Sequence, residues 1–178
     1  IQELATRHRA SKTPVREAAF ILVGEGLLTH RADGGFLVPI SEPDEQIELL
    51  AWHMQLMNST LSSLRESAIR RAFQQSLTLA PTPSPASVAK LASAIFTSLV
   101  DAIGNRQASS DVRRLNERLH YSRMADATDP RNAEKELAVI ANLDVVNLPK
   151  AARPRIESYH LRKIDHQRRI VTKRGKER

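Results

Sequence analysis

The 178-residue chain is 41% apolar and carries 27 Lys and Arg against 20 Asp and Glu, with no cysteine. No apolar run approaches the roughly 20 residues that cross a bilayer, which argues against a helical membrane protein. Without thiols there is no disulfide framework, no thiolate nucleophile and no cysteine-based zinc or iron–sulfur site, and a cytoplasmic, reducing location fits.

The formal charge of +7 is unevenly spread. Residues 150–178 hold eleven Lys or Arg against Glu157, Asp165 and Glu177, so the rest of the chain is close to neutral. Global basicity is therefore weak evidence for a nucleic-acid partner, and the case must rest on particular residues.

Ile1, Leu4 and Ala5 recur at helical spacing, and neither an initiator Met nor a signal pattern stands ahead of them. The chain is thus expected to open inside a helical domain and to lack an N-terminal piece. Ser11-Lys12-Thr13-Pro14 offers hydroxyl caps and a first-turn proline, the signature of a second helix. Val15, Ala18, Ala19, Leu22 and Val23 define its buried face, leaving Lys12, Thr13 and Arg16 on another, and Gly24-Glu25-Gly26 ends it. Two strand-like runs, Leu27 to Arg31 and Phe36 to Ile40, flank Ala32-Asp33-Gly34-Gly35 and predict a β-hairpin.

Ser41-Glu42-Pro43-Asp44-Glu45 reads as a helix start with acids in the first turn, and its amphipathic pattern predicts one helix to about Gln75. Three prolines between Ala80 and Pro85 interrupt it as a connection between helices. Val88, Leu91, Ala92, Ile95, Phe96, Leu99, Val100 and Ile103 predict a helix stopped by Gly104-Asn105. Asp111 to Ala125, Asn132 to Leu143 and Pro149 to Ile164 complete an all-α half. The basic residues 166–178 have little apolar content and are expected to fray as a disordered tail.

Helix, tight turn, second helix and a glycine-tipped hairpin make a winged helix-turn-helix. Its second helix fits the major groove, where arginine bonds guanine bidentately while hydroxyls and lysine hold phosphates. Leu4-Ala5, Ser11 to Ala18, Glu25-Gly26-Leu27 and Gly35-Phe36-Leu37-Val38 resemble the N-terminal domain of GntR-type regulators, with their LA, SRTPVREAL, EGL and wing RGxxV patterns. The resemblance implies double-stranded operator DNA as partner, contacted by Ser11, Lys12, Thr13 and Arg16, with Gly34 and Gly35 of the wing approaching the minor groove. Lys12 stands where the family has Arg and lacks its planar fork.

The helical half resembles the FadR-like branch, which carries an FCD-type effector and dimerisation domain. Leu91 to Asn105 is similar to that branch's DxxFHxxLxxAxGN stretch. Many members hold a divalent metal there, but Ser93 and Thr97 replace the Asp and first His. No metal or other cofactor is therefore expected. His160 falls near a family ligand position, and His53 takes the place of an Arg that meets carboxylate effectors. His53, Asn105 and His160 are the candidate effector residues.

The resulting expectation is a mostly α protein: residues 1–41 a winged helix-turn-helix, 42–165 an all-helical effector and dimerisation bundle, and 166–178 a tail. Its function is that of a cytoplasmic, homodimeric, sequence-specific regulator, of repressor type, modulated by a small carboxylate. Two alternatives remain: a regulator whose helical domain is a ligand-unresponsive dimerisation scaffold, and a basic helical RNA-binding or interaction module. No nucleophile elbow, phosphate-binding glycine loop or HExxH supports an enzyme.

Overall fold

In a computed structural model of the chain, which describes residues 1–39, 41–77 and 84–176, helix α1 (Gln2–Arg7) is followed by α2 (Lys12–Gly24). Arg9 takes a left-handed φ of 51° between them, and the Ala10 N–H returns to the Ala5 carbonyl at 2.9 Å. This tight turn makes the two helices neighbours.

Ser11 is the N-cap of α2, yet its hydroxyl makes no capping bond. The reason is chemical: the third helical position is Pro14, which has no N–H to give. Gly26, at φ 73°, closes the other end. Its N–H bonds the Val23 carbonyl at 3.0 Å, and that of Leu27 bonds Leu22 at 2.9 Å, the paired bonds of a Schellman motif.

Strands β1 (Thr29–His30) and β2 (Phe36–Leu37) pair antiparallel, Thr29 opposite Leu37 and His30 opposite Phe36. They are shorter than the sequence pattern suggests. The Leu27 and Leu28 N–H groups are spent on closing α2, and Pro39 has no donor; Ile40 lies outside the described residues.

The chain divides into two compact units, Ile1–Ile40 and Ser41–Arg178. The second begins with α3 (Pro43–Ser63) and α4 (Glu66–Leu77), where the sequence pattern implies one continuous helix. The break falls at Leu64, which is extended (φ −102°, ψ 141°). Just before it, the Ser62 and Ser63 hydroxyls donate back to the Asn58 and Ser59 carbonyls, bonds that compete with helix continuation.

The proline-rich connection expected at Ala80 to Pro85 lies mostly outside the described residues. From Ser84 onward a reciprocal box between Ser84 and Ser87 caps α5 (Pro85–Asp101). Next come α6 (Arg106–Arg118), α7 (His120–Asp126) and α8 (Pro130–Ile140), the last capped by Asp129.

The final helix, α9 (Leu148–Lys176), corrects the expectation of a frayed tail: helix runs on well past Ile164. Ile164 and Gln167 are buried, Lys163 pairs with Asp126 at 3.4 Å, and Arg174 pairs with Glu42 at 2.6 Å. Buried positions and counter-charges hold what composition alone assigns to solvent.

Helix α5 is the hub of this unit, packed by α3, α4, α6, α7 and α8. Its Ile95, Phe96 and Leu99 are fully buried in a core with Met57, Ile69 and Phe73. Leu99→Ala is expected to cost about 2–5 kcal/mol, read by urea denaturation; an unchanged midpoint would remove α5 from its central place.

Candidate functional site

Two clusters of functional type stand out, one in each unit. In the first, Ser11, Lys12, Thr13 and Arg16 are all exposed on the N-terminal turns of α2. Among the described residues no ion pair engages Lys12 or Arg16, so both cations remain open to an outside anion. Gly34 and Gly35 form the hairpin tip at φ 91° and 87°. A Cβ at either would meet nothing within 4 Å, so these glycines serve backbone conformation rather than close packing. Arg16, Gly34 and Gly35 line one cleft of about 290 Å³ with Phe20, His30 and Phe36. The helix start and the hairpin tip thus face a common space.

The second cluster is buried. His53 of α3 and His160 of α9 are both fully buried and lie 2.8 Å apart, Nδ1 to Nε2. His160 donates from Nδ1 to the Ile156 carbonyl at 2.7 Å, so its Nε2 is the acceptor and His53 Nδ1 the donor. His53 Nε2 then lies 3.2 Å from Asn116 Oδ1. That oxygen also accepts from Arg123 Nη1 at 2.8 Å, while Asn116 Nδ2 donates to Thr97 Oγ1 at 3.1 Å. A neutral imidazole donates from only one nitrogen, and both nitrogens of His53 face acceptors. The network is one proton short.

Electrostatics withhold that proton. Burial holds His53 well below its ordinary value of 6.5, with His160 and Arg123 adding to the effect and the Asn116 bond opposing it. Burial lowers His160 to about 4, against the bond to Ile156. Arg123 is itself buried, and burial lowers its pKa from the ordinary arginine value, with Tyr159 opposing. Its Nη1 also reaches Ser93 Oγ at 3.2 Å, and its guanidinium lies 5.5 Å from the Phe96 ring centroid. Among the described residues Nε and Nη2 make no hydrogen bond of ordinary geometry, and Tyr159 is the side chain that favours the charged form.

His53 and His160 are therefore brought together, whereas Asn105 is not with them. Asn105 is exposed and caps α6, its Oδ1 accepting from the Gln107 and Ala108 N–H groups at 3.0 and 3.1 Å. The metal suggested by resemblance does not fit this centre: Ser93 and Thr97 offer neutral hydroxyls, and a guanidinium bonded to Ser93 repels a cation. Asn116 and Arg123 are residues that sequence reasoning misses. Their signal was present, since Val112, Asn116, Leu119, Arg123 and Ala127 follow helical spacing and put two polar residues on an apolar face.

A winged helix-turn-helix joined to an all-helical unit with a polar centre defines the architectural class. No protein-family model matches the chain. It is 27% identical over 147 residues to the Nta operon transcriptional regulator of Aminobacter aminovorans, a match covering 79% of this chain and 70% of that protein. A solved structure described as a GntR transcriptional regulator from Rhodococcus sp. RHA1 is similar with a TM-score of 0.75 at 14% identity, over 97% of this chain and 86% of that one. A GntR family member from Pseudomonas syringae pv. tomato DC3000 gives 0.53 at 16% identity, over 99% and 78%. The fold is that of GntR-type transcriptional regulators.

The histidine pair sets a pH dependence of stability. Both folded-state pKa values lie below 6.5, so between that value and about 4 the unfolded chain binds protons that the folded chain refuses. Stability is then complete above 6.5 and declines as pH falls through the window. The melting temperature should follow this course, and a His53→Gln/His160→Gln double variant should show a flatter profile. His120, also lowered mainly by burial, leaves a residual slope.

Proposed function

We propose that this chain is a DNA-binding transcriptional regulator of the GntR type. The carrying observation is the exposed, unpaired Lys12 and Arg16 on a helix whose start shares a cleft with a glycine-tipped hairpin. Helix α2 would enter the major groove of an operator. There Arg16 suits bidentate bonding to guanine, Lys12 with Ser11 and Thr13 suits phosphates, and the side-chain-free tip at Gly34 and Gly35 suits the narrower minor groove. A homodimer reading a pseudo-palindrome, acting as a repressor in the cytoplasm, is the regulator this reading favours.

The helical unit acts as dimerisation and effector domain. Arg123 is a buried cation whose Nε and Nη2 make no hydrogen bond of ordinary geometry among the described residues, and a small carboxylate is the ligand that would satisfy them bidentately. Such an anion would also offset the Arg123 charge that adds to burial in keeping His53 deprotonated. An effector of this kind shifts operator affinity only through unequal binding to the DNA-competent and DNA-incompetent states.

A gel-shift titration of the full chain on DNA from upstream of its own gene tests the first part. Arg16→Ala should lose about 5- to 150-fold in specific affinity, corresponding to roughly 1–3 kcal/mol for a bidentate base contact. Equal, salt-sensitive binding of both proteins to any DNA would instead assign binding to the basic face of α9. A thermal-shift screen of two- to six-carbon mono- and dicarboxylates tests the second part. A stabilising acid should raise the melting temperature of the wild type and leave Arg123→Met unmoved; a panel without effect would favour a scaffold without a ligand.

A further inference from the structure

Lys12, Arg16 and Phe20 are all exposed and stand four residues apart on α2, a single row along one helix face. The third member of this polar row is an aromatic ring that is 50% exposed. The ring is also held in place. It lies edge-on to Phe36 at 5.2 Å between centroids and stacks on His30 at 5.5 Å, and those two rings meet each other at 5.3 Å. Phe36 and His30 belong to the hairpin, so the trio fixes Phe20 between the helix and the wing, in the cleft that Arg16, Gly34 and Gly35 also line.

Packing on the hairpin accounts for one side of the ring and leaves the other in water. An operator presents one apolar group in the major groove, the C5-methyl of thymine, and phenylalanine is among the side chains suited to it. Lys12 and Arg16 supply the charge that draws the phosphodiester backbone onto this row.

We infer that Phe20 is a specificity-determining residue that packs against a thymine methyl one helical turn beyond the base contacted by Arg16. The inference rests on the operator-reading assignment above. It gives the chain a preference for thymine at one position of each site, without any hydrogen bond to that base.

The test begins with a duplex pool carrying a randomised central segment, from which the full wild-type chain selects a consensus. Each thymine of that consensus is then replaced singly by uracil, which removes only the methyl group. Wild type should bind about fourfold more weakly at one thymine position, the factor expected for one buried methyl. Phe20→Ala should lose the discrimination between thymine and uracil there, and Phe20→Leu should retain part of it. Circular dichroism melting of each variant separates this from loss of fold, since a merely structural role would lower affinity for both bases alike. Wild-type binding indifferent to every replacement, or discrimination kept by Phe20→Ala, would overturn the inference while leaving operator reading by Arg16 intact. Failure to select any consensus would overturn the operator-reading assignment and this inference with it.

Discussion

The hydrogen bond between His53 and His160 joins the first and last helices of the larger unit across 107 residues of sequence. Two imidazoles buried away from the surface need partners, because an unpaired buried polar group forfeits its hydration for nothing. The Ile156 carbonyl fixes the His160 proton on Nδ1, and this in turn fixes the His53 proton. The register of α3 against α9 is therefore dictated by tautomer as well as by shape. Phe96 lies edge-on to His53 with ring centroids 4.8 Å apart, so the same bond sits directly on the central helix α5.

From that bond the charge balance of the interior follows. Asn116 joins His53, Thr97 and Arg123: its amide nitrogen donates to Thr97, and its oxygen accepts from Arg123 while facing an unprotonated His53 Nε2. A buried guanidinium without a carboxylate is a costly arrangement, only partly offset by the Phe96 face and by Ser93 and Asn116. Stability alone would favour an apolar residue at position 123. The arrangement makes sense where the strain has a use, and the carboxylate effector proposed above would supply one.

How much could be read from the sequence depended on the range of the signals. Helix α2 and the hairpin are specified locally: Pro14 starts, Gly26 stops, and Gly34-Gly35 turns the chain, each through backbone preferences that need no distant partner. The break between α3 and α4 leaves no mark in the sequence pattern, because apolar periodicity continues through Leu64 while the helical backbone does not. In α9, abundant Lys and Arg hid a sparse buried stripe of Ile156, His160, Ile164 and Gln167, spaced at three or four residues and visible in retrospect. His53 and His160 were singled out separately, but their pairing is a tertiary fact. Asn105 shows the opposite case: its place after Gly104 suits a helix cap, the role it takes at the start of α6, apart from His53 and His160.

Arg123, bonded to Ser93 beside Thr97, changes what the domain needs from its surroundings. A coordinated ion must be acquired, can be exchanged for a competitor, and leaves when a chelator is stronger. A guanidinium is made with the chain. Any charge it contributes is present in every copy as soon as folding ends, independent of metal supply.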